Sequence, residues 1–468
     1  MTEPRSSKTL FTPIVEPEKL HPRFELLRTS PGYEPARWML DRVYQPFDDP
    51  EGNFLEQFQT RGFDARIFEL YLFSYFHYSG FTVERTMPNP DFIVSQAGVR
   101  VAVEAITVNP STTGALARDG KKISRLTQEE LRDYQNEELP MRFGSPLFSK
   151  LQKKYWELEH CRDLPFVLAI EAFHDEESLA LSEAALIRYL FGIEQTGSWA
   201  QGGRLQVHVS TVEEHAVKRK TIPSNFFGQP GAEHVSAVLF TNSGTITKFA
   251  RMGYQYGIGC ETVHMSRGGF CFNPQPDAMD STFFSYNLDE PPFVEPWGQG
   301  LLLMHNPNCL HPVPREAFAE LVEGYTQDGL FKSDHPSWHP FSSKTLICHL
   351  GGVKKKLNEV APSRARIAVV AITKQEFQTA CGFAVPDMNP IGEEHGWFSD
   401  ETGSFLGVLV RDKFDDDWGF VVLGRDEYFH FRAIDVDVSF KTRDEARMQL
   451  QFKVGGYLDS PKRVFAQT

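Results

Sequence analysis

The stretch NPDFIVSQAGVRVAVEAITVNP, Asn89–Pro110, decides how the chain is read. Two apolar runs flank Ala97-Gly98, which predicts a strand, a turn and a strand. If Ala97 and Gly98 form a two-residue turn, Gln96 pairs with Val99 and paired positions sum to 195. A four-residue loop from Gln96 to Val99 gives the same sum; a three-residue loop breaks it. In that register Asp91 stands opposite Glu104, with Cβ atoms about 5 Å apart. A buried carboxylate is costly unless it is paired, protonated or bound to a metal. Two carboxylates side by side must share a proton or hold a cation. A hard divalent ion such as Mg²⁺, or Mn²⁺ in its place, suits such a pair, because it takes oxygen ligands and keeps several waters.

The flanking segments add charge to the same region. DARIFELYLFSYFHYSG, from Asp64 to Gly80, predicts a helix ended by the glycine. Ala65, Glu69, Leu72, Phe73 and Phe76 share one face of it, so Glu69 lies inside an apolar stripe. The competing reading of Glu69 is an ion pair with Arg66 at the edge of that stripe. Residues 109–146 are polar and predict a mobile loop or lid, in which RDGKKISR (118–125) is either a phosphate contact or a solvated surface. SPLFSKLQKKYWELEHCRDLP then predicts a helix with Ser145 as N-cap and Pro146 in its first turn. Lys150 and Lys154 fall on its inward stripe with Leu147, Leu151, Tyr155 and Leu158. Lysines at the edge of a buried face often snorkel to water. The alternative is that Lys150 or Lys154 reaches the acids, with Lys154 better centred. PFVLAIEAF, from Pro165, reads as a buried strand.

A helix bearing Glu69, then Pro90-Asp91 opening a strand, then Glu104-Ala105-Ile106 in the next strand, then a helix and a strand resembles the PD-(D/E)XK nuclease superfamily. The resemblance covers roughly residues 60–175. It implies an α/β (α+β) fold with a restriction-endonuclease-like mixed-sheet core. It also implies a Mg²⁺- or Mn²⁺-dependent endonuclease acting on nucleic acid, with DNA the expected substrate. Asp91 and Glu104 would bind the metal. Glu69 would bind a second ion or position water, and Lys154 or Lys150 would stabilise the attacking hydroxide or the pentavalent phosphate. Thr107 and Asn109 would add polar contacts. The chain departs from the family at Ile106, where the family carries its lysine. That departure motivates the rival reading, a catalytically inactive nuclease-fold scaffold that binds nucleic acid or protein.

The rest of the chain bounds these readings. With 468 residues, 41% of them hydrophobic and 39 Phe, the chain predicts two or three folded domains and excludes wholesale disorder. A net charge of −14 excludes a passive, histone-like coat and leaves room for a local basic groove. The six cysteines are scattered without a CxxC pair, which argues against zinc and for reduced thiols in the cytoplasm. No stretch approaches the roughly 20 apolar residues of a membrane span. The expected domains are an N-terminal arm (1–50), a core with an extended middle region (51–334) and a C-terminal region (335–468). The last includes a small, mainly antiparallel β module from about 389, for recognition, homo-oligomer formation or a protein partner. Thr442 is its expected helix N-cap.

Other motifs are weaker. TNSGTITKFARMG lacks the spacing of a phosphate loop, and Lys248 and Arg251 read as a basic edge near the core. His305, His311 and Cys309 do not make a zinc set; a third reading, an enzyme built on those histidines, needs them to converge with an acid. There is no G-x-S-x-G elbow. Asp415–Asp417 read as an acidic hairpin tip, and Lys354–Lys356 with Arg364 and Arg366 as a guiding patch or a solvated face.

Overall fold

The structure is a computed structural model. It describes residues 9–468 except 112–115, 117–122, 176, 182, 200–204, 260, 274–277, 279–280, 290–293, 316, 319, 337, 350–369, 376, 378–392, 400–404, 412–417, 426–430, 441–442, 444–445, 448–449, 451–453 and 455–468. The expectations for Asp415–Asp417, Lys354–Lys356 with Arg364 and Arg366, most of residues 118–125, and Thr442 lie outside the described residues.

The chain divides into two compact units. The first comprises Met1–Gly259, Ser266–Ser285 and Gly298–Ile347; the second comprises Cys260–Met265, Tyr286–Trp297 and Cys348–Thr468. The first is mixed α/β. Its eight-stranded sheet runs in chain order: β1 (Thr82–Glu84), β2 (Phe92–Gln96), β3 (Val99–Val108), β4 (Phe166–Ala172), β5 (Ala237–Thr241), β6 (Leu301–His305), β7 (Val322–Gln327) and β8 (Leu330–Asp334). The joins β3/β4, β4/β5 and β6/β7 are parallel, and the others are antiparallel. The parallel centre is apolar on both faces because helices cover both. Phe76, on α2 (Phe63–Tyr78), packs edge-on against Phe92, with ring centroids 5.7 Å apart. On the opposite face Ala102, Ile106 and Val108 of β3 meet Phe143, Leu147 and Leu151 of α3 (Leu139–Leu151).

Three expectations change. The arm expected over residues 1–50 is built into the first unit rather than standing as a segment of its own. From Thr9 on its residues belong to that unit, with Phe24, Leu27, Met39 and Leu40 fully buried. In particular α1 (Glu34–Tyr44) lies on Ile246–Gln255 so closely that a Cβ on Gly253 would stand 2.1 Å from the Pro35 carbonyl oxygen. The boundary expected at 334 falls at 347, since 335–347 is bonded to the first unit: Asn242 Nδ2 donates to Phe341 O (2.7 Å) and Arg251 Nη1 to Thr345 Oγ1 (2.7 Å). Within the span 109–146, expected to be a mobile loop or lid, the described residues from Ile123 on are largely helical. Thr127 and Glu130 form a capping box for Gln128–Asp133, a π turn follows at Tyr134–Glu138, and α3 continues from Leu139. Pro146 is therefore inside α3 rather than in its first turn.

The second unit carries a five-stranded antiparallel meander in chain order: β9 (Val370–Ile372), β10 (Glu393–Ser399), β11 (Phe405–Arg411), β12 (Trp418–Arg425) and β13 (Phe431–Phe440). Both faces of β11 and β12 are apolar. Phe405, Leu409, Phe420 and Val422 meet Ala446, Leu450 and Val454, which recur at helical spacing. Leu406, Val408, Val410 and Val421 meet Phe377 on the other side. Trp418 packs against the first cluster and Trp397 against the second. Among the described residues no helix is long and apolar enough to cross a membrane.

A candidate active site at the open end of the hairpin

The hairpin turn is the two-residue type. Ala97 (φ 51°) and Gly98 (φ 83°) both adopt positive φ, and Gln96 pairs with Val99. The register carries through to Phe92↔Val103, so Asp91 comes opposite Glu104. There β2 begins, at Phe92, while β3 runs on past it to Val108. The Ala105 N–H at that open edge donates to Asp91 Oδ2 (2.8 Å), and the Asp91 N–H donates to Glu104 Oε2 (3.2 Å). His160 Nε2 donates to Asn89 O (2.7 Å) and so ties down the segment leading into Asp91.

Glu104 points to the α3 side of the sheet, as Ile106 does two residues on. Lys150 comes down from α3 onto that side, and its Nζ bonds Glu104 Oε1. The ammonium also lies 5.7 Å from the Tyr155 ring centroid. Ile106, the position two residues after Glu104, is 4% exposed and packed in the core. Lys154 is a correction. The helix ends at Leu151, Lys154 turns left-handed (φ 52°) and more than half exposed, and it pairs with Glu157 at 3.3 Å. A stripe drawn past the end of a helix aligns nothing.

Glu69 is a second correction. Its carboxylate is buried, with Arg66 Nη1 on Oε1 (2.5 Å) and Arg85 Nη2 3.5 Å from Oε2. With both oxygens facing guanidinium groups, it is poorly placed to bind a metal. Burial and then the charge of Asp91 push Glu69 up to about 7, with Arg66 and Arg85 opposing. The same two causes push Glu104 up to about 8, with Lys150 opposing. Burial works against the Lys150 ammonium, but Glu104 and Asp91 outweigh it and raise its pKa.

These groups open into a cleft of about 490 Å³, lined also by Asn53, Thr107 and Ser149. Asp91 and Glu104 are the acids a divalent ion would use, although Lys150 and the Asp91 N–H already engage the two Glu104 oxygens. The two acids are facing oxygen donors, and their mutual repulsion and burial are what a cation would relieve. Among the described residues no three His, Cys, Asp or Glu side chains form a ligand set, so water and substrate oxygens would complete the shell. Thr107 lines the cleft and accepts from Asn109 Nδ2 (3.3 Å).

Elsewhere His305 lies 3.4 Å from Glu323, which Arg315 also approaches at 3.4 Å, and no metal set forms there. Lys248 and Arg251 are buried on Ile246–Gln255, not a basic edge. Sequence reasoning missed Arg85 and His160. Arg85 has no partner in pattern, and His160 sits in a short 3-10 turn. Compared with family models, curated proteins and solved structures, the chain matches none of them.

Proposed function

We propose that the protein is a metal-dependent nuclease with a restriction-endonuclease-like core, hydrolysing phosphodiester bonds in nucleic acid, DNA being the expected substrate, in the cytoplasm. The observation that carries this reading is the Lys150 ammonium on Glu104, beside Asp91, in an open cleft. A divalent ion on Asp91 and Glu104 would supply Lewis-acid activation of water. Lys150 brings a positive charge to the point where negative charge grows on phosphate or hydroxide. Water adds to phosphorus as the bond to the leaving ester oxygen breaks, and that oxygen ends protonated. One phosphodiester and one water give a phosphomonoester and a hydroxyl.

The silent-scaffold reading draws on one observation: Lys150 already bonds Glu104 without any ligand. The described residues that line the cleft belong to the first unit, and the role assigned to the second is recognition or assembly, with a further copy or a protein partner as its target.

The test is nicking of supercoiled plasmid and cutting of single-stranded DNA with Mg²⁺ or Mn²⁺, beside Asp91→Ala, Glu104→Ala and Lys150→Ala. Cleavage lost in all three supports the assignment. Cleavage that survives both acid substitutions overturns it, and no cleavage by the wild type favours the scaffold.

A further inference from the structure

The side of the cleft formed by α2 and the segment after β1 holds a second group of charges. Arg66 lies over the Phe54 ring (5.3 Å) and is fixed at three of its nitrogens. Its Nε and Nη2 donate to Gln57 Oε1 (3.1 and 2.5 Å), and Nη1 donates to Glu69 Oε1 (2.5 Å). Arg85 is held between the rings of Phe47 (4.0 Å) and Phe92 (4.7 Å). Its Nε donates to Asp48 O (3.1 Å), while Nη2 reaches Glu69 Oε2 only at 3.5 Å. The side chain is 8% exposed, and Nη1 has no hydrogen-bond partner among the described residues.

Both arginines line the cleft. Leaving a buried guanidinium N–H unpaired costs free energy that a ligand acceptor would recover. Two guanidinium groups also share one carboxylate, Glu69, although Asp49, Glu51 and Asp91 line the same cleft. Rigid, stacked guanidinium forks suit the several oxygens of a phosphate better than a single acceptor. Packing on aromatic rings and the bonds to Gln57 and Glu69 fix them before a ligand arrives, which lowers the cost of binding.

We propose that Arg66 and Arg85 form a phosphate-binding subsite that holds a second, uncleaved phosphate of the nucleic-acid strand, with Glu69 as the residue that positions both guanidinium groups. The nucleic-acid identity of the ligand rests on the nuclease reading; the subsite itself does not.

The experiment uses the full chain without metal. Binding of a fluorescent single-stranded oligonucleotide is followed by anisotropy across salt, and stabilisation by inorganic phosphate is followed by thermal unfolding at constant ionic strength. Wild type is compared with Arg66→Gln, Arg85→Gln and Arg85→Lys. In each Gln variant affinity should fall about tenfold, and the log–log salt slope should shrink by about 1, as expected for one lost phosphate contact. With metal, KM should rise while kcat holds, because the phosphate bound there is not the one cleaved. Arg85→Lys should recover the salt slope and only part of the affinity. Phosphate should stabilise the wild type and not Arg85→Gln. If phosphate does so but no DNA is bound or cut, the subsite stands and the nuclease reading falls. Folded Gln variants that keep wild-type affinity, salt slope and phosphate response would show the arginines to be structural and overturn the proposal. So would a wild type unaffected by phosphate.

Discussion

Lys150 Nζ bonds Glu104 Oε1 from the helix that covers β3, while Ile106, two residues beyond Glu104 on the same strand face, is closed into the core. The positive charge therefore enters from α3 and not from the strand. Replacing Lys150 with Ala should lower cleavage by about 10²- to 10³-fold, the usual cost of losing one preorganised charge-stabilising donor. Lys154→Ala should leave cleavage within about twofold of wild type and stability within about 0.5 kcal/mol, because its pair with Glu157 is exposed. Plasmid nicking and urea unfolding read both, and a larger loss from Lys154 than from Lys150 would contradict the geometry.

Divalent-ion binding should release protons. Burial and Asp91 push Glu104 up to about 8, so at pH 7 its carboxyl holds a proton that a bound cation must displace. Calorimetry in buffers of different ionisation enthalpy should show up to about one proton released per ion at pH 7, falling toward zero by about pH 9. Asp91→Asn should weaken the ion's binding. A proton count that does not change with pH would place the ion elsewhere.

What the sequence made legible follows from period and sign. The two-residue turn and the pairing sum were readable because strand alternation has a strict period, which left few registers for Asp91 and Glu104. Lys150 was readable as one of two lysines on a stripe. The choice between them was not, because it depends on where α3 stops, and the turn at Gln152–Lys154 carries no glycine or proline. The helices of residues 123–151 were obscured by their polar composition, although Thr127-Gln128-Glu129-Glu130 is a capping-box string. Arg85 could not have been found. Its partners Phe47 and Asp48, Glu69, and Phe92 come from three separate segments, and only the fold brings them together.

Stability should fall on both the acid and the alkaline side. Burial lowers His339 to about 3, helped by His335, Arg267 and Lys248, and lowers His335 to about 4 against the pull of Asp334. The unfolded chain takes up these protons near 6.5 and the folded chain does not, so stability present above that pH is lost as pH drops toward 4. Glu171 on β4 behaves oppositely. Burial pushes its carboxyl well above the ordinary range, with the Gly244 N–H as a partial offset. The folded state keeps a proton that the unfolded state releases near 4.5, so stability is lost as pH rises from there. Each unmatched proton contributes a slope of at most about 1.4 kcal/mol per pH unit. Urea unfolding across pH should show His339→Gln flattening the acid limb and Glu171→Gln flattening the alkaline one. Parallel curves for variant and wild type would refute the assignment.

Gly244 and Glu171 should be energetically coupled. A Cβ on Gly244 would stand 2.2 Å from Glu171 Oε2, 2.9 Å from Tyr71 Cδ1 and 3.1 Å from Phe68 Cδ2. The carboxyl cannot swing aside freely, because Glu171 is fully buried and the rings of Tyr71 and Phe68 also lie against that point. Gly244→Ala should therefore cost about 1–3 kcal/mol through overpacking. Glu171→Ala alone should also cost stability, since it empties a packed site. In the double variant the new methyl enters space that Glu171 vacated, so the two costs should fall short of their sum by about 1 kcal/mol or more. The remaining contacts with Tyr71 and Phe68 keep the rescue partial. Urea denaturation of the four proteins of this cycle measures the coupling, and strictly additive costs would mean that the glycine does not make the close approach to Glu171 that the packing requires.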